Sequence, residues 1–444
     1  MLAGLGIAFV AYGFLRRITP VDANKTAAEI DVTRVALTVV AGVGGVVALV
    51  IAYRRQRDLE QSRFVERFGA AAAQLGATDV AVRIAGVYAM AGVADESEGL
   101  RRQQCIDVLC GYLRLPYSPE LGANHQSKLV LKHHRATADG TRADDQEHHL
   151  EYRHNDREVR ATIVRVIADH LRLTAEYSWS AGDFDFRTAH LEDVDFSRVK
   201  FSGAARFGTA TFSGLAMFSG ATFAGTTDFE GAIFSGTTRF GGATFSDTAA
   251  FHRATFSGPA WLSEAIFFGT AGFADAIFAG IARFDGAAFF GIAEFDGAMF
   301  SSPTSFEGST FSGTAGFDGA TFNSTTGFDG AIFSSIATFD RAAFSGSTTF
   351  DRASFSSAMF SRATFADIVR FVSASFSGVT GFDRVTFAGA ASFAQVDFGT
   401  ETVSFVRPEQ WGPPAPVFDW DQDFSRKPAN VEPAEWPPAL LSAR

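Results

Sequence analysis

The sequence predicts a mainly β chain whose C-terminal half is a solenoid, preceded by transmembrane helices and a small α-helical region. Three observations carry this reading. Phe supplies 48 of the 444 residues, is sparse up to Leu173, and from Phe184 to Phe405 recurs every five or six residues. A small side chain stands two places before nearly every one of these Phe. Near the N-terminus, Val35–Tyr53 runs for 19 residues without a charge. One stretch obeys its own rule, and a fixed period is the signature of a repeat architecture.

At 1.5 Å rise per residue, Val35–Tyr53 covers about 28 Å, close to the hydrocarbon core of a bilayer. Arg54, Arg55 and Arg57 follow at once, as an interfacial anchor would. Met1–Leu15 is also uncharged, though short for a full span. It reads as a first transmembrane helix rather than a signal peptide, since no A-x-A-like cleavage site follows and Arg16–Arg17 close it. Residues 1–55 are therefore expected to form a transmembrane hairpin with spans at 1–15 and 35–53. Basic residues flank both ends of the second span, so the positive-inside rule does not orient the pair.

Residues 56–118 read as a helical region. Phe64, Phe68, Ala71, Ala72 and Leu75 form one apolar stripe, and Gly76 is its natural stop. Asp79 is placed to cap a second helix with Val80, Ile84, Val87, Tyr88 and Ala91 on one face. Ile106, Leu109, Cys110 and Leu113 mark a third, ended by Pro116. Cys105 and Cys110 point to different sides of that helix and read as free thiols. Residues 119–155 are a polar insertion holding six of the nine His. His133–His134 and His148–His149 lack the order of a zinc site, so a flexible, solvated linker is expected, with no metal or other cofactor. Asp156–Leu173 is amphipathic, with Val159, Ile163, Val166, Ile167 and Leu171 on one side, and 156–182 is expected to cap the first coil of the repeat segment.

From Phe212 to Phe355 the Phe alternate in steps of six and five, with Leu262 in one of their places. The unit is eleven residues, near A-T-F-S-G-T-A-x-F-D-G. At Phe355–Phe360–Phe365 the six-step is lost, and upstream Phe186, Leu191, Phe196 and Phe201 keep plain five-steps. Neither a helix nor a simple meander has this period. A large and a small residue two apart point to the same side of extended backbone. Both then face inward, and the Ser, Thr, Asp, Arg and Gly between them face water. Phe223, Phe234, Phe245, Phe256, Phe278, Phe289, Phe300, Phe311, Phe322, Phe333 and Phe344 are the expected structural core. Each buried Phe contributes about 2–3 kcal/mol, enough for a rod without cofactor or disulfide.

This pattern resembles the pentapeptide repeat family, in which a central Leu or Phe and the small residue two before it point into a four-faced coil. The resemblance covers Asp183–Phe405 (residues 183–405) and implies a right-handed quadrilateral β-helix. The extra residue on alternate faces makes the coil 22 rather than 20 residues; a left-handed hexapeptide helix would need a steady six-step. About ten coils at roughly 4.8 Å each give a rod on the order of 45 Å long. Residues 406–444, with Trp411, Phe418, Trp420 and Phe424, are expected to cover the last open β edge as a C-terminal cap and tail.

The net charge of −11 speaks against binding nucleic acid by neutralising phosphates. Residues 183–401 hold 22 acidic against 12 basic side chains. Much of the acid follows the six-step Phe directly: Asp285, Asp296, Glu307, Asp318, Asp329, Asp340 and Asp351. A 22-residue coil sorts these into two columns, 285/307/329/351 and 296/318/340, which are the candidate interaction sites. Like charges so close repel, and Arg341, Arg352 and Arg384, each following an acid, are expected to relieve them. No Walker loop, dinucleotide fingerprint or catalytic constellation is present, which points away from an enzyme. The expectation is a membrane-anchored, non-enzymatic interaction or scaffold module, with its soluble part in the cytoplasm and a protein partner. The family resemblance implies an alternative, a DNA mimic that binds the topoisomerase gyrase.

Overall fold

The structure, a computed structural model, describes residues 10, 13, 14, 17, 26–119, 128–133, 146–151 and 156–441. The chain divides into two compact units, Met1–Ala70 and Ala71–Arg444.

Helix α1 spans Thr26–Leu75. It begins nine residues before the expected span, because Ala27, Ala28 and Glu29 are strong helix formers. It does not stop at Arg54–Arg57 either, since Arg, Gln, Leu and Glu continue the helix to Gly76. Within it, Leu37–Leu75 is long and apolar enough to cross a membrane, by length and composition, and its apolar window is not buried in the protein. The expected first span, 1–15, falls almost wholly outside the described residues.

In the second unit, helix α2 spans Val80–Asp95 and helix α3 Leu100–Leu113. The Asp79 carboxylate accepts from the amides of Ala81 and Val82, at 2.7 and 3.3 Å, and so caps α2. Val87 and Ala91 are buried as the periodicity predicts, but Tyr88 is exposed and Arg83 is buried instead. The reason is Gly86. A Cβ there would lie 2.7 Å from the Leu75 nitrogen, so α2 meets the end of α1 through its glycine side and turns Tyr88 outward. In α3, Ile106, Leu109, Cys110 and Leu113 are all buried. Within 119–155, expected to be a flexible linker, Lys128–His133 pairs antiparallel with Gln146–Glu151. The histidines at 125, 134 and 154 fall outside the described residues. Helix α4, Asp156–Leu171, buries Val159, Ile163, Val166, Ile167 and Leu171.

The solenoid comes next. Each coil contributes four two-residue strands, as at Thr222–Phe223, Thr227–Asp228, Ile233–Phe234 and Thr238–Arg239. Each strand pairs in parallel with its counterpart 22 residues on: Phe223 with Phe245, Thr227 with Ala249, Phe234 with Phe256, Thr238 with Ala260. The Phe of the ladder from Phe223 to Phe344, and Leu262 in its place among them, are at most 1 % exposed. Rings one coil apart lie parallel, with Phe317 and Phe339 4.8 Å between centroids and 1° between planes. Across the core the rings meet edge to face, as do Phe306 and Phe317 at 5.5 Å and 86°. Inward threonines satisfy their hydroxyls on the carbonyl two residues back, as Thr326 does on Ser324 at 3.1 Å.

Where the sequence drops a residue, the register records it. Ile332–Phe333 pair 22 residues ahead, and Ile336–Thr338 pair only 21 ahead, with a bulge between. The first complete turn shows the same shift between Glu192 and Val194.

The ladders also pass Phe405. Gln410–Trp411 pairs with Thr386–Phe387, Val417–Phe418 joins the Ala391–Phe393 strand, and Val431–Glu432 pairs with Val403–Ser404. One ladder thus has eleven rungs, from His190 to Gln410. The tail is a widened last coil. Phe418 stacks on Trp420 at 4.8 Å, and Trp436 closes on Phe418 at 5.0 Å. Phe424, expected in this cap, is exposed; Trp436, which carries no repeat spacing, does its part instead.

Candidate interaction surface

The two acidic columns occupy opposite corners of the coil, one rung per turn, because each acid directly follows an inward Phe and starts a turn. At such a corner the β ladder is interrupted and amides lose their strand partners. The carboxylates supply acceptors. Asp296 Oδ1 accepts from the Asp318 amide at 2.8 Å, Asp318 Oδ1 from Asp340 at 3.0 Å, and Asp340 Oδ1 from Ser361 at 2.9 Å. On the other corner Asp329 accepts from the Asp351 amide at 3.0 Å and Asp351 from Val372 at 2.9 Å. Asp285 accepts from the Ser305 hydroxyl, whose oxygen in turn accepts from the Glu307 amide at 3.3 Å. One oxygen of each of these aspartates therefore stitches its coil to its neighbourhood, and a buried or half-buried amide gains a partner.

This geometry sets the electrostatics. Burial raises the Asp296 carboxyl above its ordinary range, and the Asp318 charge raises it further against the pull of the amide. Asp340 is raised for the same reasons, burial first. Of the arginines expected to relieve the columns, Arg341, Arg352 and Arg384 form no ion pair among the described residues. The pairing falls instead to Arg370, 2.8 Å from Asp351. Its place one strand away, rather than next in sequence, hid it from a reading of adjacent residues.

A second set of polar residues gave no signal in the sequence. Arg83, fully buried, donates to Asp156 at 2.6 Å and to the Tyr112 hydroxyl at 3.0 Å, and Tyr112 donates to Asp156 at 2.6 Å. Arg160 carries the network to the first coil, donating to the carbonyls of Tyr112, Leu113 and His190. Its guanidinium lies 4.4 Å from the Tyr117 ring centre, and Tyr117 donates to Glu192 at 2.5 Å. Burial and the Glu192 carboxylate push the Tyr117 phenol well up. Trp179, also buried, stacks on His170 at 4.0 Å and donates to Asp95 at 2.8 Å. These contacts dock α2, α3 and α4 on the open end of the solenoid, where unpaired strand edges need a cover. They hold structure together; no nucleophile and base are brought into reach.

Among the described residues, no group of three or more His, Cys, Asp or Glu is placed to hold a metal ion. Cys105 and Cys110 are free and buried, and burial pushes their thiols up to about 11 and about 12.

Compared with known families, the chain matches pentapeptide repeats in nine copies, over residues 186–233, 207–255, 240–288, 251–299, 284–332 and 328–375. No curated protein and no solved structure matches it. The matched segments, the four-sided coil and the inward Phe agree, and the repeat segment of this chain belongs to the pentapeptide repeat family.

Proposed function

We propose that the protein is a membrane-anchored, non-enzymatic interaction scaffold. One observation carries this reading: the solenoid interior is filled by stacked rings, so the chemistry it offers lies on outward columns at a fixed pitch. A surface of that kind suits recognition of another macromolecule rather than enclosure of a small substrate. The apolar stretch of α1 supports the anchor. The two free thiols support a cytoplasmic soluble part.

Two measurements test the anchor and its sidedness. Full-length protein is expected to stay in the membrane fraction after alkaline carbonate extraction, and its release sinks the anchor. Cys105 is buried and does not report sidedness, so Ser257→Cys, on an exposed corner, serves instead. Labelling of that thiol on intact cells by an impermeant reagent refutes the cytoplasmic placement.

The DNA-mimic reading is less well supported. Half of the oxygens on most column aspartates are committed to the protein's own amides, and arginines interrupt both columns. Full-length protein in detergent, tested against gyrase at low salt, decides it: saturable inhibition favours mimicry, and its absence removes it.

A further inference from the structure

The corner that carries Asp296, Asp318 and Asp340 has a second property. The next residue in each turn has positive φ, and its occupant changes along the rod. It is Asp275, then Gly297 and Gly319, then Arg341, Arg362, Arg384 and Arg407, with φ between 52° and 66°. Backbone hydrogen bonds one turn apart, such as Arg341 to Ser361, Arg362 to Asp383 and Arg384 to Val406, keep these residues in one column. All four arginines are exposed, and none of them forms an ion pair among the described residues. Asp340 and Asp383 turn one oxygen inward to the amides of Ser361 and Val406. The corner is therefore negative over the turns of Asp275, Asp296 and Asp318, balanced at Asp340–Arg341, and positive beyond.

Such a gradient is complementary to itself when reversed. We propose that two copies of this chain pair antiparallel along this corner, about a two-fold axis at Asp340–Arg341. Asp318 of one copy then faces Arg362 of the other, Asp296 faces Arg384, and Asp275 faces Arg407. Each contact occurs twice, as an isologous interface requires. The pitch selects the partner. Rungs here are 4.8–4.9 Å apart, as the stacked rings show, and only another coil of equal rise meets them rung for rung. A helix, rising about 5.4 Å per turn, drifts out of register. The opposite corner carries Asp285, Glu307, Asp329 and Asp351 with Arg352 alone, so it is not self-complementary. This proposal uses repeat residues only and stands apart from the scaffold and anchor readings.

Sedimentation of the full chain in detergent at low salt tests it. A dimer is expected that weakens as salt rises, since the contacts are exposed charges. Arg362→Glu/Arg384→Glu removes four of the six pairs outside the axis and should raise the dimer dissociation constant about tenfold or more. Glu264 already holds a Glu at positive φ, so the variant is expected to fold, and circular dichroism checks that. Arg352→Glu, on the opposite corner, should change nothing. Asp275→Cys/Arg407→Cys should cross-link between copies under an added oxidant, and Asp275→Cys alone should not. A monomer at low salt, a dimer indifferent to the double Glu variant, or cross-linking of Asp275→Cys to itself each overturns the proposal.

Discussion

In the repeat segment the ring of Phe317 lies 4.9 Å from Phe295 and 4.8 Å from Phe339, its equivalents one coil away on either side. In the helical segment the buried Arg83 meets Tyr112 and Asp156, residues of different type, 29 and 73 positions away. The solenoid thus repeats one contact, and every coil offers its neighbour what its neighbour offers the next. The helices make each contact once, between unlike partners. Redundancy in the first region should confine damage to adjoining coils, whereas in the second a single lost partner strands a charge.

The sharpest way to break this contrast is Asp156→Ala. It leaves Arg83 buried without its carboxylate and should cost about 3–5 kcal/mol, whereas Arg83→Met with Asp156→Leu should cost much less. Equal losses in urea unfolding would show that the pair itself, rather than the stranded charge, matters. Phe317→Ala is next: it opens a cavity between two stacked rings and should cost about 3–5 kcal/mol. Hydrogen exchange is expected to rise in the adjoining coils and to stay unchanged in α2–α4; uniform loss of protection would mean the two regions unfold as one.

Smaller effects concern the corners. A Cβ at position 258 would lie 2.5 Å from the Gly236 carbonyl oxygen, so Gly258→Ala should cost about 1–3 kcal/mol as coils are forced apart. Asp318→Asn keeps an acceptor for the Asp340 amide and should stay within about 0.5 kcal/mol of the parent, while Asp318→Ala should lose about 1–2 kcal/mol. The same loss for both would mean that charge, not the amide bond, is what the column supplies.

Acid separates the regions most finely. Asp296 and Asp340 titrate above their ordinary range, so the stability they contribute is present below the unfolded value and lost as pH rises through the folded one. Asp185, in the first coil, is held low by the Arg187 side-chain bond first, and Arg114 of α3 reaches it at 2.7 Å. Its contribution runs the other way and is lost as pH falls. Exchange protection at mildly acidic pH should therefore hold in the central coils and decline at the capped end; the reverse order would contradict both assignments.

Much of this molecule was legible in the chain. A Phe that recurs at five and six positions, with a small residue two before it, leaves one arrangement in which every ring is inward, and the 22-residue turn follows by addition. The acidic columns follow from the same arithmetic. Less legible were the faces of α2, where Gly86 and not the hydrophobic pattern chose the buried side, and the end of the rod, where Trp436 joins from a segment without period.

By itself, then, the sequence determined the coil, its filling and the place of each outward charge, because a repeat turns sequence spacing directly into spatial spacing. Tertiary structure alone decided what those charges touch. That Asp296 bonds to the next coil's amide, that Arg370 rather than Arg352 answers Asp351, and that Arg83 finds Asp156 are matters of separation across turns and helices. Distances of that kind depend on the packed fold, and no local pattern encodes them.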